Sequence, residues 1–188
     1  MIKALKTCAT RICQGDIFRD IEFIEYAIES KGNFEISKLI FPLVVVLTQD
    51  CDLEQDSKVR AIGPEAKSQD KLLFSVLVAP LYNAEHVYEG KHLSELQMQM
   101  QLINKKKSPG ENLRKNESSR FHYLEFPPAI PIVPSVIDFK HYFSVNVAYL
   151  KKVKRKQFVC KVGDLFREDI SQRFAGFLSR IGLPELGP

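Results

Sequence analysis

The sequence predicts an α+β fold: a small, mostly antiparallel curved sheet or small barrel with a C-terminal helix. Short β-rich runs bounded by turn residues follow one another through most of the chain, without the long helices that parallel crossovers need. An amphipathic helical pattern closes the chain. With 188 residues, 45% of them hydrophobic, the chain can bury one core, so residues 1–188 are expected to form a single domain.

The first two predicted strands are the best defined. The turn signal Gln14-Gly15-Asp16 precedes the β-rich run Ile17–Phe23. The apolar run Leu39–Leu47 is short and rich in β-branched residues, so it predicts a strand buried on both faces. Pro42 has no N–H for the ladder and is expected at the start of this strand or on an edge, which leaves Leu43–Leu47 as the regular part.

A third strand is predicted at Leu72–Ala79, where Pro80 ends a second apolar run, and we expect it to pair with the strand before it. Ala84–Ile103 has the composition of one or two short helices. Asn104–Ser119 contains Lys-Lys-Lys-Ser-Pro-Gly and has the composition of a mobile loop.

Three further strands are predicted after this loop. Phe121–Phe126 is a short strand, after which several prolines enforce an extended path. Ser135–Lys140 and His141–Lys152 follow, the second with a basic end. Its portion Val145–Leu150 is expected in the same sheet as the earlier strands.

A C-terminal helix is predicted at residues 165–183, because apolar side chains recur at three- and four-residue intervals before Gly182 and Pro184. This apolar face should be buried on the sheet and consists of Ile170, Phe174, Phe177, Leu178 and Ile181. Truncation of Phe174 to alanine is expected to cost about 3–5 kcal/mol. The predicted barrel core spans residues 14–150, with a helical and loop insertion near 84–119.

Charge and cysteine content limit the classes of function. The formal net charge of +4 allows weak attraction to nucleic acid, and positive charge is concentrated at Lys105–Lys107, Arg114-Lys115 and Lys151–Lys156. The four cysteines lack the spacing of a disulfide framework or a zinc knuckle, so we expect a cytoplasmic protein with no cofactor and no resident metal. No signal peptide or membrane-spanning stretch appears, and no membrane partner is expected.

Three short stretches resemble landmarks of the MazF/PemK-like toxin barrels. Gln14-Gly15-Asp16-Ile17-Phe18 is similar to that family's opening Gly-Asp-hydrophobic strand. Phe41–Thr48 resembles its Arg-Pro-hydrophobic-Leu-Ser strand, and Leu77–Leu81 its hydrophobic-Pro-Ile-Thr strand. The resemblance covers about the first 85 residues and implies an SH3-like or PemK-like barrel.

The positions that carry the family's chemistry hold other residues here. In those endoribonucleases an Arg in the barrel loops and a Ser or Thr after the third landmark's proline assist cleavage of RNA. This chain has Phe41 before Pro42, and Leu81-Tyr82 after Pro80. The resemblance therefore implies a module of a toxin–antitoxin or defence system that binds nucleic acid or a protein and lacks efficient ribonuclease activity.

The densest polar cluster follows the end of the best predicted strand. It supplies most of the candidate catalytic residues, which are Thr48, Asp50, Cys51, Asp52 and His122. Asp50 and Asp52 either hold a divalent cation or share a proton, or they make ordinary turn hydrogen bonds.

The cysteine and the histidines have similar alternatives. Cys51 is a nucleophile only if His122, beside Arg120, lowers the pKa of its thiol; otherwise it is a small buried hydrophobe. The remaining histidines have no ligand spacing to one another or to cysteines, and we expect surface or structurally satisfied side chains at His86, His92 and His141.

A second polar segment carries five positive charges in six residues. The candidate nucleic-acid-binding residues are Lys151, Lys152, Lys154, Arg155 and Lys156. In a strand they would form an exposed basic rim, with Tyr149 and Phe158 placed to stack on bases. The alternative is a solvated strand edge that lysines protect from aggregation.

Two functions follow as hypotheses. The first is a binding module on a toxin-like barrel, with RNA, DNA or a protein as its partner. The second is a metal-dependent or general acid–base phosphodiesterase that uses Thr48–Asp52 with Arg120 and His122. The sequence carries no signal for an oligomeric state.

Overall fold

A computed structural model describes residues 1–108 and 110–180, and it confirms the α+β class. The strands are β1 (Ala4–Leu5), β2 (Asp16–Ser30), β3 (Asn33–Val46), β4 (Ser75–Asn83), β5 (Phe121–Leu124), β6 (Ser135–Asp138), β7 (Phe143–Asn146) and β8 (Phe158–Val162). The α-helices are α1 (Asp50–Ile62), α2 (Ala84–Tyr88), α3 (Gly110–Arg114), α4 (Val147–Gln157) and α5 (Asp164–Leu178). Short 3₁₀ segments lie at Gly63–Glu65, Ser94–Leu96 and Phe139–His141.

The strands form one curled antiparallel sheet, a half-barrel, in the order β1-β8-β2-β3-β4-β6-β5, and β7 also pairs with β4. β3 and β4 pair as predicted, with Val44 opposite Pro80 and Val46 opposite Val78. The predicted bounds of β4 were wrong: it runs Ser75–Asn83, so Pro80 lies inside the strand instead of ending it. Successive residues of these strands enter two different apolar clusters, one with Val45 and the other with Val44. Both faces of the central strands are therefore buried, as the uninterrupted apolar run predicted.

β2 and β3 form a long hairpin around Lys31 and Gly32, whose φ values of 53° and 78° suit a two-residue turn. β3 begins at Asn33, earlier than predicted, so Pro42 lies inside it rather than at its start. Because β4 pairs with β3 only from Val44 onward, no described strand pairs with this edge of β3 at Pro42, where a missing N–H is tolerated.

The outer half of this hairpin is a two-stranded ribbon. Among the described residues, β8 pairs with β2 only at Asp16–Phe18, and β4 reaches β3 only at its inner end. Several large apolar side chains are exposed along the ribbon: Ile24, Tyr26, Ile28, Phe34, Ile36 and Ile40. The outer ribbon adds little to the core, and its own cross-strand pairs hold it together.

The structure corrects the prediction of a strand at His141–Lys152. β7 ends at Asn146, and the lysine-rich residues form α4. The side chain of Asn146 accepts hydrogen bonds from the backbone N–H groups of Ala148 and Tyr149, an N-cap that starts a helix. Only the first two residues of the predicted sheet portion Val145–Leu150 are in a strand.

The predicted C-terminal helix is present as α5. Phe174 is buried and Phe177 packs on the core, but Leu178 is half exposed, so the prediction of its burial was wrong. Ile181 lies outside the described residues. In the described part of the chain, no helix is long and apolar enough to cross a membrane.

Candidate functional site

The segment Thr48–Asp52 begins a helix instead of lining a cleft. The hydroxyl of Thr48 accepts a hydrogen bond from Leu77 N–H at 2.7 Å, which ties the end of β3 to β4. Asp50 then occupies the first turn of α1, where a carboxylate is favoured by the helix dipole. This is the arrangement of a helix start stabilised by local hydrogen bonds.

The carboxylate of Asp50 is engaged on both oxygens. Arg11 donates to Oδ1 at 3.0 Å and to Oδ2 at 2.7 Å, and the backbone N–H of Gln14 donates to Oδ1 at 3.0 Å. Arg167 lies 3.6 Å from Oδ2. Burial alone would raise the pKa of Asp50, but these donors outweigh it and lower the pKa. Asp50 therefore joins the N-terminal segment, α1 and α5.

The other candidates of this group do not join Asp50. Asp52 is exposed and two residues further along the helix, so the two carboxylates do not face each other. Cys51 is exposed rather than buried. Within the described ranges, no three of Asp50, Cys51, Asp52 and His122 have ligand atoms within 4.8 Å of one another.

His122 lies on β5 and is only 2% exposed. Its ring is tilted against Phe139, with ring centroids 6.3 Å apart. Burial, and then the charge of Arg173, lower its pKa to about 3. A neutral histidine in an apolar setting is typical of a core residue, and the role of His122 as a base for Cys51 stays a prediction.

The predicted basic rim is a helix face. Lys154 is buried, and its ammonium lies 3.3 Å from a carboxylate oxygen of Asp16. The other cations of the segment are exposed, and none of them forms an ion pair with an acidic side chain of residues 1–108 or 110–180: Lys151, Lys152, Arg155 and Lys156. The N–H of Glu22 donates to the hydroxyl of Tyr149, Phe158 packs edge-on against Phe18, and both rings are partly buried against an apolar cluster, which limits their area for stacking on a base.

A different polar cluster lies at the end of β6. Asp138 is its last residue, His141 ends the following 3₁₀ turn, and His92 comes from the loop after α2. One ligand atom from each of these three side chains lies within 4.8 Å of the other two, and no other such group of His, Cys, Asp or Glu occurs among the described residues. The sequence did not predict this cluster, because its members come from distant segments. Only the three-residue spacing of Asp138 and His141 can be read from the sequence.

The hydrogen bonds of this cluster are unevenly distributed. Asp138 is fully buried and is held by Arg120, whose Nε donates to Oδ1 at 2.8 Å and whose terminal nitrogen donates to Oδ2. His141 Nδ1 lies 3.5 Å from Oδ2 of Asp138 and 3.1 Å from the hydroxyl of Tyr82. Both ring nitrogens of His92 are buried, and neither makes a hydrogen bond of good geometry in the described part of the chain, although the backbone of His86 lies close to the ring.

Burial also sets the ionisation of these groups. It lowers the pKa of His92 and of His141, although the charge of Asp138 acts in the opposite direction at both rings. It raises the pKa of Tyr82. At neutral pH both imidazoles are therefore neutral, and each retains a lone pair.

Two cavities meet at His92. One has a volume of about 580 Å³ and is also lined by Tyr82, His86 and Ser135. The other is about 150 Å³ and is also lined by Arg120. A larger depression of about 760 Å³ lies beside the end of α1, but its guanidinium, Arg60, is already bound by Asp56. Of the three members of the cluster, His92 is thus the one that lines a cavity.

Comparison of the chain with models of protein families, with curated proteins and with solved structures gives no match.

Proposed function

We propose that the protein is a nucleic-acid-binding module that contacts the phosphate backbone through the exposed face of α4. The observation that carries this proposal is the set of four exposed cations on that helix, none of them in an ion pair with an acidic side chain of the described residues. A cluster of Lys and Arg along one helix face is the electrostatic signature of phosphate binding.

Helix geometry places these cations together. Lys151 and Arg155 are four residues apart, as are Lys152 and Lys156, so both pairs lie one turn apart, about 6 Å along the axis. The face can contact at most four phosphates, which corresponds to non-specific dissociation constants of about 10⁻⁴–10⁻⁶ M. Because Tyr149 and Phe158 are packed, we expect binding that depends little on base sequence.

Electrostatics disfavour cleavage of RNA by this chain without a metal. A catalyst must meet the negative charge that develops on the phosphate with fixed cations or donors. At the positions where the toxin resemblance would put an Arg and a hydroxyl, Phe41 stacks on Phe143, and Leu81-Tyr82 is buried with the Tyr82 hydroxyl 3.1 Å from His141 Nδ1. A toxin–antitoxin or defence system is the setting that the resemblance implies, and in it this chain would bind rather than cut.

Fluorescence anisotropy with a labelled 20-nucleotide RNA, over a series of KCl concentrations, tests the proposal. The wild-type affinity should fall by about 3 log units per tenfold increase in salt. In the test variant the four exposed α4 cations become glutamine, and Lys154 is left intact because it is paired with Asp16. This variant should bind at least about tenfold more weakly at low salt and show a nearly flat salt dependence.

A control variant removes the same net charge elsewhere. Four exposed lysines outside α4 become glutamine: Lys67, Lys71, Lys106 and Lys107. It should keep most of the affinity and the salt slope. Equal losses in both variants would show a net-charge effect only and would reject the proposed face. Cleavage of the RNA in EDTA, abolished by Thr48→Ala or His122→Ala, would favour the phosphodiesterase instead.

A further inference from the structure

We propose that His92, Asp138 and His141 form a binding site for a divalent transition-metal ion of the zinc class, with Tyr82 within reach as a further ligand. This site is separate from the basic face of α4, and it stands or falls independently of nucleic-acid binding.

The separations in the cluster suit a metal of this size. A tetrahedral zinc ion with bonds of about 2.0–2.2 Å holds its N and O ligands roughly 3.3–3.6 Å apart. His141 Nδ1 already lies 3.5 Å from Asp138 Oδ2 and 3.1 Å from the hydroxyl of Tyr82. His92 lies within 4.8 Å of the carboxylate and of His141, so a small movement of its loop completes the set.

His92 supplies a second, independent reason. Both of its ring nitrogens are buried and make no hydrogen bond of good geometry among the described residues, and with the backbone of His86 beside the ring at most one of them has a polar neighbour there; leaving the other unpartnered costs free energy in a folded protein. A metal ion would give one of these nitrogens a partner. Two imidazoles and one carboxylate are a ligand set typical of zinc and neighbouring transition metals, whereas calcium and magnesium prefer oxygen ligands alone.

Arg120 has two opposing effects on such a site. By donating to both oxygens of Asp138 it fixes the carboxylate, as partners of ligating carboxylates commonly do. Its positive charge also repels a cation, so the affinity should be lower than that of a site with the same ligands and no arginine. Arg120 near two imidazoles is also an arrangement that attracts anions, and phosphate is therefore the competing ligand in the test.

The cavities beside His92 give access to the site. His92 lines both the 580 Å³ and the 150 Å³ cavities, whereas Asp138 is fully buried and, like His141, lines neither of them. An ion would therefore enter the cluster past the His92 ring.

Isothermal titration of the EDTA-treated and dialysed full chain with ZnCl₂, and separately with sodium phosphate, tests the proposal. We expect one zinc ion per chain and no phosphate binding that depends on His92. His92→Ala and His141→Ala should each weaken zinc binding at least about tenfold, since each removes one ligand. His86→Ala is the matched control, because His86 lines the same cavity but lies outside the cluster.

Circular dichroism of each variant checks that it folds, and His92→Gln is the substitute if the alanine variant does not. Zinc binding that is unchanged in the His92 and His141 variants would overturn the proposal. So would the absence of zinc binding together with phosphate binding that the His92 variant weakens, because the cluster would then be an anion site.

Discussion

Asp50 and Asp138 are both held by an arginine at two points, yet their surroundings differ. Asp50 receives further donors from Gln14 and lies near Arg167, so its oxygens are fully engaged. Asp138 also receives the N–H of Lys140, but beside it the two ring nitrogens of His92 make no hydrogen bond of good geometry in the described part of the chain. Asp50 was a candidate because polar residues are dense around it in the sequence. Asp138 is a candidate because, in the structure, it lies beside His92, which lines a cavity and has ring nitrogens without a good hydrogen bond among the described residues.

The largest expected difference between the two regions is in stability. Arg120→Ala leaves the fully buried Asp138 without its ion-pair partner and should lower the free energy of unfolding by about 3–5 kcal/mol. Arg11→Ala should cost only about 1–2 kcal/mol, because Asp50 is partly exposed and keeps Gln14 N–H and Arg167. Urea titration at neutral pH measures both values. Equal losses would show that the two arginines have the same structural role.

A smaller effect concerns His122, which the sequence grouped with Asp50 and the structure places in the core. Its folded-state pKa of about 3 lies below the unfolded value of about 6.5, so the unfolded state binds the proton more tightly. The stability that His122 contributes is present above the unfolded pKa and is lost as pH falls towards the folded pKa. Between about pH 7 and pH 4 the loss should reach roughly 3 kcal/mol.

The comparison of wild type with His122→Leu isolates this effect. The leucine variant should lose about 3 kcal/mol less than the wild type over the same pH range, as measured by urea titration at both pH values. An equal pH dependence in the two proteins would mean that His122 is solvated or paired, and would return it to the list of candidate site residues.

Some elements of the fold were predictable from the sequence and others were not. β2, β3 and β4 were predictable because their apolar runs are local and bounded by turn residues. α4 was not, because its lysines were assigned to a strand end, although the capping Asn146 was a signal for a helix. The strand end before Thr48 was placed correctly. The two arginines near Asp50, Arg11 and Arg167, are far from it in the sequence, and no spacing rule connects the three residues.

The cluster around Asp138 was beyond sequence reasoning for the same reason. The turn that follows β6 brings His141 back to Asp138, but the loop that brings His92 to them depends on the packing of the insertion after β4. The burial of the His92 ring nitrogens, which make no hydrogen bond of good geometry with the described residues, is a property of the folded chain alone.

Crystals grown with zinc, and measured at the zinc absorption edge, test most directly the claim that chemistry lies at the Asp138 cluster rather than at Thr48–Asp52. We expect an anomalous peak between the side chains of His92, Asp138 and His141, and none beside Asp50 or Asp52. A peak at Asp50 or Asp52, with no peak at His92, would contradict it.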